Sequence, residues 1–148
     1  MVILAWDEAY SVGSAMIDSD HRILINLVNQ LHDAMETGQS RDVLGSVLNV
    51  LTEYVEHHFH REELLMERIG YPERINHVQN HRELEAKVRA IRDCWLAGDR
   101  QVLDDEVLGF LKRWLSDHIL RADRAYRPWI EAADIRGGSG DSGQALTL

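Results

Sequence analysis

The 148-residue chain has one cysteine, two prolines and ten glycines, and each scarcity excludes something. A lone thiol, Cys94, cannot form an internal disulfide, which fits a reducing, cytoplasmic setting. So few prolines and glycines leave long stretches uninterrupted and point to long helices. Basic residues are outnumbered, 16 against 25 acidic, and a net charge of −9 argues against a nucleic-acid partner, which would need a basic face. No apolar run approaches the ~18 residues of a membrane span. The opening MVILAWDEAY lacks the basic and apolar regions of a signal peptide. With 45% hydrophobic and 28% charged residues, the chain has the composition of one globular domain. What stands out is histidine, present eight times.

Residues 1–18 show no sustained helical period and read as an arm carrying Trp6 and Tyr10. Four long segments follow, separated by the breakers Thr37-Gly38-Gln39-Ser40, Gly70-Tyr71-Pro72 and Gly98-Asp99. Each breaker joins a glycine stop to a Ser, Pro or Asp start, with Asp18 or Ser19 expected to cap the first helix. Arg127-Pro128 is expected to close or kink the last helix. The expected fold is all-α, an antiparallel up-down-up-down four-helix bundle over residues 1–133. The Gly/Ser-rich stretch 134–148 is expected to be a disordered tail.

Helical period decides which histidines face inward. In the first segment His21, Leu24, Ile25, Val28, Leu31 and Met35 share one face. In the second, Leu44, Leu48, Leu51, Val55, Leu65 and Ile69 set the core direction. His58 and Glu62 fall within that stripe, whereas His57 and His60 swing roughly 100° or more towards water. The third segment aligns His77, His81, Leu84, Val88, Ile91 and Trp95; the fourth aligns Leu108, Leu111, Leu115, His118 and Ala122, with Trp114 beside them. Asp123, five residues after His118, would sit about 140° away on a regular helix. A π-type widening near Ala122 would bring it inward, and the sequence predicts one. His32, at the stripe edge, is expected to be structural or half-exposed. Cys94, beside Trp95, is expected to pack as a small buried hydrophobe.

Five inward histidines with Glu62 and Asp123 are too many buried polar groups for a plain bundle, because each needs a partner. Metal coordination satisfies them together. Two six-coordinate ions offer twelve positions. Five imidazoles, two bridging carboxylates and a bridging oxygen occupy all but one, leaving a single vacancy for a small exogenous ligand. Imidazole with carboxylate in a roughly octahedral site favours iron, then manganese, over tetrahedral zinc.

The stretches HHFHREELLM (57–66), HVQNH (77–81) and WLSDHILRAD (114–123), with DSDH (18–21) upstream, resemble the hemerythrin family, in particular its single-domain bacterial members. The likeness covers roughly residues 5–130. It implies that His77, His81 and His118 bind one iron and that His21 and His58 bind the other. Glu62 and Asp123 would bridge them, together with an oxo or hydroxo group. It further implies reversible capture of dioxygen as a hydroperoxide at the two-histidine iron, inside an apolar pocket of Leu24, Ile25, Val28, Leu51, Val55, Trp114 and Ile119. The expected role is oxygen storage, transport or delivery by a non-enzymatic monomer, with dioxygen as ligand and neither membrane nor nucleic acid as partner. The alternatives are an oxygen or redox sensor working through an output partner, and a diiron peroxidase or nitric oxide reductase. Ferritin-like oxidases use several Glu and Glu-x-x-His pairs, a pattern this chain lacks.

Overall fold

Side-chain oxygens start three of the long helices, and left-handed glycines help to end them. The computed structural model describes residues 3–99 and 101–137. Helix α1 spans Ala15–Glu36, α2 Arg41–Ile69, α3 Arg74–Leu96 and α4 Asp105–Asp117. A π-helical turn, His118–Asp123, and a 3-10 turn, Arg124–Tyr126, lead into a fifth helix, α5, Arg127–Gly137. Ser14, Ser40 and Asp104 cap α1, α2 and α4 by accepting from the backbone N–H groups of Ile17, Val43 and Val107. Gly70 closes α2 at φ 70°, in the left-handed region that other residues avoid. The architecture is the expected all-α four-helix bundle: α2 packs against both α1 and α3, and α4 packs against α1.

Several local expectations are corrected. Helix α1 begins at Ala15 rather than after Asp18 or Ser19, because Ser14 supplies the cap. The Asp18 carboxylate is engaged elsewhere, accepting from Ser11 Oγ at 2.6 Å and Val12 N at 2.9 Å. Helix α4 starts after Asp104, not Asp99, whose carboxylate accepts from Gln101 N in a local turn. The chain does not stop at Arg127-Pro128. Pro128 lies in the first turn of α5, where its missing N–H costs nothing. Cys94 is exposed, not buried: Trp95, one step and about 100° further round α3, takes the inward place. His32 is buried, at 7% exposure. The expected tail begins later than residue 134, because residues 134–137 continue α5, and residues 138–148 lie outside the described residues.

Two apolar clusters fill the bundle. The larger joins Leu24, Val28, Leu31, Leu48, Leu51, Val55, Phe59, Val88, Leu111, Leu115 and Ile119. The smaller joins Val12, Ile17, Leu65, Met66, Ile69, Tyr71, Tyr126 and Ile130. Along α1 the order runs Ile17, His21, Leu24, and along α2 Phe59, Glu62, Leu65, so a polar layer lies between two greasy ones. The arm is tied down beside it. Asn29 Oδ1 accepts from Ile3 N at 3.0 Å and Leu4 N at 3.2 Å, while its Nδ2 donates to Leu4 O at 2.8 Å. Among the described residues no helix is long and apolar enough to cross a membrane.

Candidate metal centre

Each of the four bundle helices contributes to the polar layer through its own period. One turn separates His58 from Glu62 on α2, and His77 from His81 on α3, so each pair projects from a single face. His21 comes from the first turns of α1. His118 and Asp123 open and close the π-turn, whose wider circuit returns the fifth residue to the inner face. Asp123 is fully buried as a result. All seven of the expected residues meet here, each at 5% exposure or less. His57 and His60 face solvent, as the period requires.

The two carboxylates divide the histidines between them. Glu62 Oε1 lies 3.0 Å from His77 Nε2 and 3.0 Å from His81 Nε2. Asp123 Oδ1 lies 2.9 Å from His77 Nε2 and 2.9 Å from His118 Nε2. Their second oxygens face the other way: Glu62 Oε2 is 3.2 Å from His58 Nε2, and Asp123 Oδ2 is 2.8 Å from His21 Nε2. Two donor sets result, Glu62, His77, His81, His118 and Asp123 on one side, and His21, His58, Glu62 and Asp123 on the other. Within each set the donor atoms lie within 4.8 Å of one another.

Proximity here is not hydrogen bonding throughout. The Nε2 atoms of His21, His58, His81 and His118, and Oδ2 of Asp123, are buried without an aligned hydrogen-bond partner. Orphaned polar atoms in a dry interior are costly, and five converging on one place call for a shared partner. The donors are nitrogen and oxygen with no sulfur, a set suited to first-row divalent metals rather than to thiolate-seeking ones. The residues present therefore fit a metal pair.

Without metal, charge holds the layer together. Burial alone would lower the pKa of His21, yet Asp123 and Glu62 raise it to about 9. Burial likewise opposes the same two carboxylates at His77, which reaches about 10. His58 and His81 are also raised against burial, chiefly through Asp20 and Glu62, and through Glu62 and Glu63. His118 goes the other way, because burial outweighs its carboxylate neighbours. Burial would raise Glu62, but the surrounding imidazoles hold it well below the usual carboxylate range. Asp123 is lowered too, against burial and the charge of Glu62, with His118 and His21 as the groups responsible.

Four neighbours were not singled out from the sequence. Phe59, fully buried, stacks flat on His81 with ring centres 3.8 Å apart and 1° between planes. Its signal was available, since it stands four residues after Val55 and three before Glu62. Tyr126 donates its hydroxyl to Glu62 Oε2 at 3.3 Å. Asp20 and Glu63 lie against His58 and His81 through contacts between helices, which no local pattern reveals. The seven apolar residues expected to line a pocket are all buried in the larger cluster.

Fold and layer together define a class: a four-helix bundle with an interior histidine–carboxylate cluster of the metal-binding type. The particular family follows from comparison. The model of the hemerythrin HHE cation binding domain matches residues 12–130. A bacteriohemerythrin of Stenotrophomonas maltophilia is 35% identical over 132 residues, covering 89% of this chain and 84% of that one. A bacteriohemerythrin of Methylococcus capsulatus is 31% identical over 133 residues, covering 89% of this chain and all of its own 100%. The crystal structure of wild-type hemerythrin superposes with a TM-score of 0.79 at 29% identity, covering 85% of this chain and 96% of the other. The chain belongs to the hemerythrin family.

Proposed function

We propose that this protein is a non-haem diiron protein that binds dioxygen reversibly, for storage, transport or delivery, as a cytoplasmic monomer without net catalysis. In this reading His77, His81 and His118 hold one iron, His21 and His58 hold the other, and Glu62 and Asp123 span both. The support is the division of oxygens: each carboxylate turns one oxygen to the three-histidine set and the other to the two-histidine set. A carboxylate serving a single ion has no need of that arrangement. Held by these residues, an iron pair would supply the electrons for dioxygen capture.

The chain's own residues account for the rest. The set built on His21 and His58 has one imidazole fewer than the other and would leave room there for the exogenous ligand. Leu24, Ile25, Val28, Leu51, Val55 and Ile119, all at 2% exposure or less, keep water from the larger cluster beside it. Excluding water guards against proton delivery and irreversible loss of the bound ligand. Only two of the seven donors are carboxylates, unlike the Glu-rich sets of ferritin-like di-iron proteins, which supports binding over oxidation chemistry. The names of the bacteriohemerythrin relatives agree with this reading.

The test is spectroscopic. Reduced, iron-loaded protein is exposed to air and then stripped of oxygen while its visible spectrum is recorded. A charge-transfer band that comes and goes with oxygen supports carriage; a band that decays once, releasing peroxide, refutes it. His58→Ala should abolish the band and His57→Ala should leave it. The reverse pattern would refute the assignment of inward histidines.

A further inference from the structure

Two of the five inward imidazoles have a carboxylate behind them, one in each donor set. His58 Nδ1 lies 3.0 Å from Asp20 Oδ2. The other oxygen of Asp20 accepts from Tyr54 Oη at 2.7 Å and from Arg61 Nη2 at 2.7 Å. On the opposite side His81 Nδ1 lies 2.8 Å from Glu63 Oε2, and Glu63 Oε1 accepts from Arg82 Nη2. Arg82 is steadied in turn by Glu85, through Nη1 at 2.6 Å. The same relay, arginine to carboxylate to imidazole, is built twice from unrelated segments. By contrast, Nδ1 of His21 has no hydrogen-bond partner among the described residues.

We propose that Asp20 and Glu63 are positioning residues that each tighten one metal position of the pair, Asp20 through His58 and Glu63 through His81. This rests on the diiron reading given above. An imidazole that donates its Nδ1–H to a carboxylate is fixed in one tautomer, with the Nε2 lone pair directed into the cluster. The carboxylate also makes that nitrogen more basic, and losing such a partner typically costs 10–100-fold in metal affinity. The arginines hold the carboxylates in place by charge-assisted hydrogen bonds. Asp20, at 3% exposure, is better shielded from water than Glu63, whose side chain is 15% exposed, so the effect of Asp20 is the larger.

The experiment measures ferrous ion retained anaerobically by the full chain against a competing chelator, set so that the wild type keeps both ions. Asp20→Asn and Glu63→Gln should each keep one, and the double variant none, because each acts on a different position. Retention of both ions by either single variant overturns the proposal. So does retention of one by the double variant, which would place both residues on the same ion. A wild type that never takes up two ions removes the diiron reading itself, a separate and recognisable failure. Ring-nitrogen NMR of the metal-free protein gives an independent readout: Asp20→Asn should shift the His58 Nδ1 resonance alone, and Glu63→Gln that of His81 alone. Arg82→Gln, at a half-exposed residue outside the packed core, should weaken the same position as Glu63→Gln but by less. No change in retention at any chelator strength would contradict the relay.

Discussion

Metal uptake should expel protons in a way that depends on pH. In the metal-free protein His21 titrates at about 9 and His77 at about 10, so at pH 7 both rings are ~99% protonated or more. An imidazole binds metal only through a neutral nitrogen, so loading at pH 7 must displace about two protons from these rings alone. His118, which burial holds below the usual histidine value, adds little. By linkage, apparent affinity should rise about tenfold per displaced proton per pH unit, so these two rings alone give about a hundredfold between pH 7 and pH 8, to which His58 and His81, also raised, add. The assay adds metal anaerobically to weakly buffered protein containing a pH indicator, and repeats the titration in buffers of different ionisation heat. Protons from a bridging water would appear at every pH. Those from imidazole must fade as the pH climbs through 9 to 10. A release that stays constant from pH 7 to pH 10 would refute the charge assignment.

Three further outcomes are expected. For the metal-free fold, the raised values of His21 and His77 confer stability that is complete below about 6.5 and lost as pH rises through 9 to 10; the denaturation midpoint should fall between pH 6 and pH 10, and a rise would contradict this. Phe59→Ala removes a fully buried ring stacked on His81 and should cost about 3–5 kcal/mol in urea unfolding, with a loss under about 1 kcal/mol counting against the packing described. Gly45→Ala would set a Cβ 3.2 Å from Trp95 Nε1, which donates to Arg41 O, and should cost about 1–3 kcal/mol while leaving metal stoichiometry unchanged; altered stoichiometry would show that the clasp and the centre are coupled.

Period carried the sequence reading a long way. The choice of His58 over His57 and His60 follows from rotation about one helix axis, and the five-residue gap between His118 and Asp123 could face inward only through a widened turn. Both are properties of a single segment, so the chain displays them before it folds. The starts of α1 and α4 were less legible, since several capping residues compete nearby and tertiary contacts decide which is used. Asp18 looked like a cap but serves the arm. Cys94 and Trp95 are neighbours in sequence, and the stripe that carries Trp95 inward turns Cys94 about 100° away, to the surface. Asp20 and Glu63 were invisible for a different reason: their partners sit 38 and 18 residues away on other helices.

The widened turn also decides how this stretch answers a change in length: it can lose a residue but not gain one. Between His118 and Asp123 the chain uses one residue more than an ordinary helical circuit would. Deleting one residue between them would leave four steps, and a regular circuit would then keep the two side chains on one face, as it does for His77 and His81. Tyr126 and Ile130, both fully buried, would keep their seats along with Asp123, whereas inserting a residue would turn all three away by about 100°. The letters themselves are freer, for Leu120 is 40% exposed and Arg121 faces water. Substitution at those two places should pass unnoticed, whereas a single-codon insertion beside them would dismantle the centre.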